Sequence, residues 1–224
     1  AAMGGVAKQA YIAIKIDKKD VATAQKAMQG ILDLAAKYQV SVAGGDTNSW
    51  QGPLVISTTV IGYSHDKGPV KRSAAKLGDI ICVTGPLGGS IDGKHLSFEP
   101  RLKEAKELMD KLAINAMIDI SDGLAKDLKA ICDDSSLGAL LDMSQIPISE
   151  NILGSDIKLE KALTDGEDFE LCLTLSKKEY DKYLGSRLET KLFPIGEIIE
   201  SEGIYYQEDG KSKRLELMAY THIF

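Results

Sequence analysis

The chain has 224 residues, 44% of them hydrophobic, which is enough for one large domain or two modest ones, each with its own core. A formal net charge of -6 with no dense run of Lys and Arg excludes an electrostatic footprint for nucleic acid and points to small-molecule partners. No apolar run approaches the roughly 20 residues that cross a bilayer, and the opening Ala1-Ala2-Met3-Gly4-Gly5 has neither the basic flank nor the apolar core of a signal peptide, so the expectation is a cytoplasmic protein with no membrane partner.

Residues 9–16 alternate and are rich in Ile and Tyr, which predicts a strand, with Asp17 placed to cap a following helix. In that helix Val21, Ala24, Met28, Ile31, Leu32 and Ala35 recur at spacings of three and four, so one face packs on a sheet, and Tyr38 ends it. Residues 41–43 form a short strand leading into Gly44-Gly45-Asp46-Thr47, and residues 54–62 form another. The polar, turn-rich segment Ser64-His65-Asp66-Lys67-Gly68-Pro69 predicts a domain boundary, giving units 1–66 and 67–224.

The second unit begins with an apolar strand at 79–84, a loop at Gly85-Pro86-Leu87-Gly88-Gly89-Ser90 and a charged amphipathic helix at 100–112. A strand at 115–120 feeds a helix at 124–132, and a strand at 169–175, a helix near 177–188, a strand at 193–199 and a hairpin turned at Asp209-Gly210 follow. Interleaved helices and strands predict an α+β fold built of two domains. Cys82, Cys132 and Cys172 are odd in number and set in apolar surroundings, so they read as buried, reduced thiols rather than disulfides or a zinc site.

Several segments could carry chemistry. Gly44-Gly45-Asp46-Thr47 lets a backbone approach an anion closely beside a carboxylate, and it equally fits a tight turn with an Asx hydrogen bond. In Asp119-Ile120-Ser121-Asp122-Gly123 a strand ends in a carboxylate just before a helix starts. Asp119 and Asp122 can then share a space with the N–H groups of the helix N-terminus, which suits Mg²⁺ on phosphate oxygens, while a plain helix cap fits as well. Arg72, just past the boundary loop, could hold a phosphate or stay solvated. Gly85, Gly88 and Gly89 fit neither a Walker nor a Rossmann fingerprint, so a turn suffices there. Asp165-Gly166-Glu167-Asp168-Phe169-Glu170 crowds four carboxylates around a strand start, either as outward-facing acids or as a site supplied with cations or donors. His65, His95 and His222 are scattered with no nucleophile motif beside them, so a hydrolase triad has no support.

The order of these segments, closing with Tyr220-Thr221-His222-Ile223-Phe224, resembles the thiamine-monophosphate kinase family across nearly the whole chain. The resemblance implies a two-domain fold shared with aminoimidazole ribonucleotide synthetase, selenophosphate synthetase and a hydrogenase-maturation protein. It also implies transfer of the γ-phosphoryl group of ATP to thiamine monophosphate and a homodimer at full length. On the same ground, Gly45, Asp46, Arg72 and Ser121 are expected to bind ATP, Asp46, Asp119 and Asp122 to bind Mg²⁺, and Glu167 and Tyr220 to bind thiamine monophosphate. The alternatives are a relative with a different acceptor or a non-catalytic nucleotide-binding module. Asp165 stands where the family usually has Gly, Asn48 replaces a second Thr, and Ala219 and Ile223 alter the usual ending. The family also carries a Gly-Asp-Asp segment and two more metal-binding aspartates ahead of the position of Ala1, so this chain alone is expected to be incomplete as a kinase.

Overall fold

The computed structural model describes residues 1–150, 152, 157–208 and 210–216. The chain separates into two units, Gly5–Ser64 and a larger one formed by Ala1–Gly4 with His65–Phe224.

In the smaller unit, the predicted alternation fixes strand β1 (Val6–Ile16): Ala10, Ile12, Ile14 and Ile16 are buried while Tyr11, Ala13 and Lys15 face out. Helix α1 (Val21–Lys37) lays Ala24, Met28 and Ile31 against those buried residues. The Asp17 carboxylate accepts from the Lys19 N–H at 3.1 Å, so it caps a short 3-10 turn that precedes α1 rather than α1 itself. Strand β1 is central, with β2 (Ser41–Ser49) parallel on one side and β3 (Val55–Tyr63) antiparallel on the other.

Strand β2 is much longer than its β-branched start suggests, and Gly44-Gly45-Asp46-Thr47 lies inside it, not in a turn between strands. Pairing with β1 continues through Tyr11 opposite Gly44, Ile12 opposite Gly45 and Ala13 opposite Asp46, after a register shift at Ala10 and Tyr11. A Cβ at Gly45 would sit 1.8 Å from the Ile12 carbonyl oxygen, so glycine is what lets the two backbones meet there.

The larger unit holds β4 (Ile80–Val83), α2 (Leu102–Lys111), β5 (Ile114–Asp119), α3 (Leu124–Ser135), β6 (Gly138–Leu141), α4 (Lys158–Thr164), β7 (Leu171–Leu175), α5 (Lys177–Leu184), β8 (Phe193–Ile199), β9 (Gly203–Glu208) and β10 (Lys211–Arg214). Its strands form one sheet in the order β10-β9-β6-β8-β4-β7-β5, antiparallel throughout except for the parallel β6–β9 pair. The period of two sorts the core into halves. Ile81, Val83 and Cys172 pack with Leu124, Leu128 and Ile131 of α3, whereas Cys82, Leu171 and Leu173 pack with Leu108 and Met109 of α2 and border Tyr180 and Tyr183 of α5. The sheet is therefore covered by helices on both faces, which explains why β4 and β7 are apolar along nearly their whole length.

Buried polar groups are matched. The Asp79 carboxylate, 2% exposed, accepts from the Lys76 N–H, the Asn115 amide and the Thr174 hydroxyl. Among the described residues no buried side-chain nitrogen or oxygen lacks a partner. The three cysteines are buried and free, and burial pushes the Cys82 thiol up to about 12 and Cys132 to about 11. No helix among the described residues is long and apolar enough to cross a membrane.

Leu128 is fully buried where α3 meets the sheet. Leu128→Ala is expected to cost about 2–5 kcal/mol, read as a lower urea midpoint with little change in the slope of the transition.

Candidate phosphate and metal site

The site grows out of the end of β5. Asp119 is the last residue of that strand, and the chain passes through Ile120-Ser121-Asp122-Gly123 before α3 starts at Leu124. Gly123 has φ 104°, a backbone that side chains avoid, and a Cβ there would lie 3.0 Å from the Leu163 carbonyl oxygen and from Thr164. The α4 end is thereby drawn tightly against this loop.

A second loop runs alongside. The Glu170 carbonyl accepts from the Ile120 N–H at 2.8 Å, the Ile120 carbonyl from the Phe169 N–H at 2.8 Å, and the Ser121 carbonyl from the Glu167 N–H at 2.9 Å. The β5–β7 pairing thus continues past both strands and sets Glu167 beside Ser121. Glu167 and Phe169 hold φ of 56° and 51°, and Gly166 holds 71° with room for no Cβ, since one would come 2.6 Å from the Ser121 oxygen. Glu167 is exposed, and the half-buried Phe169 ring stacks on Phe98 with centroids 4.0 Å apart.

The outward-facing reading of the acidic cluster holds for Glu167 and fails for Asp168 and Glu170, which are 1% and 0% exposed. Asp168 accepts from the Gly88 N–H at 3.0 Å and the Ser90 hydroxyl at 2.5 Å; burial raises its carboxyl despite these bonds. Burial also pushes Glu170 upward, but the Arg101 fork at 2.6 and 2.8 Å, with Lys94 and the Thr84 hydroxyl, outweighs it and leaves Glu170 below its ordinary value. Asp165, where the family usually has Gly, has a right-handed φ of -61° that any residue adopts, and its side chain accepts from the Gly89 N–H at 3.0 Å. The N–H groups of the Gly88-Gly89 turn are therefore taken by the protein's own carboxylates, in accord with the reading of that segment as a turn.

A cavity of about 620 Å³ opens at the β5 end, and Arg72, Asp119, Ser121 and Asp122 line it together with Asp127 and Asp134. Four of the expected site residues are brought together here. Arg72 pairs with Asp134 at 2.5 Å and Asp122 with Lys126 at 2.6 Å. The helix N-terminus is arranged differently from expectation. Neither Ser121 nor Asp122 caps α3, whose N-cap is Gly123. The N–H groups of Ser121 and Asp122 do not face the cavity unpaired, because both donate to Asp127 Oδ2 at 3.0 Å. Burial, with Asp122 and Asp119 nearby, raises the Asp127 carboxyl to about 6 against the lowering effect of those two bonds.

Sequence reasoning missed Asp127 and Asp134. The signal for Asp127 was its place in the stripe Leu124, Leu128, Ile131, where an acid occupies a core-facing position. Gly45 and Asp46 lie in the smaller unit on β2, where Asp46 is exposed and accepts from the Asn48 amide at 2.5 Å, which gives the residue replacing the family's Thr a role beside it. Tyr220 lies outside the described residues.

The donor set fits Mg²⁺ in one limited sense. Among the described residues no group of three or more His, Cys, Asp or Glu side chains is disposed to hold a metal unaided. Asp119 and Asp122 nevertheless present two carboxylates at one cavity, and Mg²⁺ takes one or two carboxylates and fills its remaining positions with phosphate oxygens and water.

Residues 1–64 match the AIR synthase related protein N-terminal domain, and residues 84–208 match the AIR synthase related protein C-terminal domain. A thiamine-monophosphate kinase of Rhodopirellula baltica is 35% identical over 230 residues, covering 100% of this chain and 70% of the relative. The chain belongs to the thiamine-monophosphate kinase family. Another member, from Buchnera aphidicola subsp. Schizaphis graminum, is 36% identical over 81% of this chain, with 62% of its own length matched. Among solved structures, AaThiL complexed with AMPPCP and TMP superposes with a TM-score of 0.82 at 26% identity, covering 99% of this chain and 75% of that one. The two-domain α+β architecture is that of this kinase family.

Glu170 with Arg101 anchors the loop that carries Glu167. Glu170→Gln is expected to cost about 3 kcal/mol at pH 7, because it leaves the Arg101 charge without its buried partner. A carboxyl lowered in the fold contributes stability above its unfolded value of 4.5 and loses it as pH falls through the folded value. The gap between parent and variant should accordingly narrow below about pH 4.5 in urea titrations carried out across pH.

Proposed function

We propose that this chain carries the reaction of its family, ATP-dependent phosphorylation of thiamine monophosphate to thiamine diphosphate. The observation that carries this reading is the cavity where β5 ends, lined by Arg72, Asp119, Ser121 and Asp122, with Glu167 bonded through its backbone to Ser121. A guanidinium, a hydroxyl and two carboxylates around one space suit a polyphosphate with a divalent cation.

The acceptor is already an anionic phosphate, so the reaction needs positioning and charge neutralisation more than a strong base. In our reading the Ser121 hydroxyl and the Arg72 guanidinium hold phosphate oxygens of ATP, and Arg72 exchanges Asp134 for the nucleotide. Asp119 and Asp122 hold Mg²⁺, Asp122 giving up its pairing with Lys126. When bound, Mg²⁺ neutralises the charge on the phosphate oxygens of the reacting group. An oxygen of the acceptor phosphate bonds to the γ-phosphorus as the bond to the departing ADP oxygen breaks in line. Glu167 holds the thiamine portion, together with Tyr220, and Gly45 and Asp46 of the N-terminal unit contact nucleotide and metal.

A cytoplasmic location and a homodimer of the full-length protein belong to the same proposal. Exposed Val60, Ile61 and Tyr63 on β3 support the second.

The test is product formation by the full-length protein with ATP, Mg²⁺ and thiamine monophosphate. Thiamine diphosphate is expected, and Asp122→Asn should lower its rate on the order of 10²-fold at fixed Mg²⁺. Turnover of a different phosphate acceptor with none on thiamine monophosphate would sink this reading.

A further inference from the structure

Asp127 has no role in the reaction just proposed, yet it is the most constrained acid in the cavity wall. It sits in the first turn of α3, is 6% exposed, and receives the N–H groups of Ser121 and Asp122 on one oxygen, Oδ2, at 3.0 Å each. Helix α3 has no side-chain cap at Gly123, and the carboxylate reaching back from Asp127 instead binds the two N–H groups of the loop that leads into the helix. Two consequences follow for a bound phosphate. The N–H groups of Ser121 and Asp122 are already committed, which leaves the side chains of Ser121, Asp119 and Asp122 to face the ligand. The two peptides flanking Ser121 are also each pinned at the N–H group, which limits how the Asp122 carboxylate can be aimed.

Charge reinforces geometry. Asp127 is in no ion pair among the described residues, while the cations around it are directed elsewhere: Lys126 to Asp122, Lys129 to Asp133 and Arg72 to Asp134. A buried third carboxylate behind two cavity-facing ones costs the empty fold energy that a divalent cation in front of them recovers.

Building on the Mg²⁺ reading above, we propose that Asp127 is a positioning residue of the metal and phosphate site, orienting the Ser121-Asp122 backbone and adding its charge behind Asp119 and Asp122 to strengthen divalent-cation binding.

Asp127→Asn tests this in the full-length protein, because the amide oxygen can still accept from both N–H groups while the charge is lost. Mn²⁺ binding without nucleotide, followed by electron paramagnetic resonance, should weaken about 10-fold, and the Mg²⁺ concentration for half-maximal rate should rise by a similar factor. The rate at saturating Mg²⁺ should stay near the parent's, and the unfolding midpoint without metal should not fall. Asp127→Ala, which removes the acceptor too, should lower the rate even at saturating Mg²⁺. A variant Asp127→Asn with parental Mn²⁺ affinity, or one whose only change is a lower unfolding midpoint, overturns the proposal and leaves Asp127 a structural cap. If the parent binds no Mn²⁺, or if Asp119→Asn and Asp122→Asn leave its Mn²⁺ affinity untouched, the metal reading beneath it falls as well.

Discussion

Three backbone hydrogen bonds that carry the β5–β7 ladder beyond its strands organise the chemistry of the larger unit. Without the bonds joining Ile120 to Phe169 and Glu170, and Ser121 to Glu167, the loop after β5 and the loop before β7 would be separate surface connections. With them, Glu167, far downstream in sequence, sits against Ser121. The cost is a run of left-handed backbone at Gly166, Glu167 and Phe169. That strain is held in place from beneath, since Asp168 and Glu170 alternate with the strained residues and are fixed in the interior by Ser90, Gly88, Arg101 and Thr84. The exposed and buried members of the acidic segment thus differ in what they do for the fold, Glu167 reaching solvent while its buried neighbours hold the loop still.

Much of this was legible in the sequence, and for identifiable reasons. Strands β1, β5 and β8 and helices α1, α2, α3 and α5 announced themselves because an alternating or three-and-four apolar pattern survives wherever one face is buried. Grouping of Asp119 and Asp122 follows from a strand ending just before a helix, and Ser121 joins them through the family resemblance. Strand β2 was read too short because Gly44, Gly45, Asp46 and Asn48 are poor strand formers, and pairing with β1 overrides their preference. Helix α4 leaves no signature in the sequence because seven residues give too few turns for a period to show.

Side-chain direction was the harder problem. Four acids in six residues look alike in a sequence, and only their partners, drawn from 78 or 80 positions away in the case of Asp168, decide which turn inward. The same holds for the α3 N-terminus. Nothing local says that an aspartate in the first turn of the helix reaches back to the N–H groups of the loop before it, although an acid within the apolar stripe of α3 is a mismatch that invites a search for its partners.

The Gly88-Gly89 turn shows the same device in a plainer form. Its two consecutive left-handed residues present two neighbouring N–H donors that an anion could take. Asp168 and Asp165 take them from within. With both donors taken, this turn offers a free anion no berth, and the carboxylates that close it come from the very loop that presents Glu167. The donors of this turn are filled in advance by the fold itself.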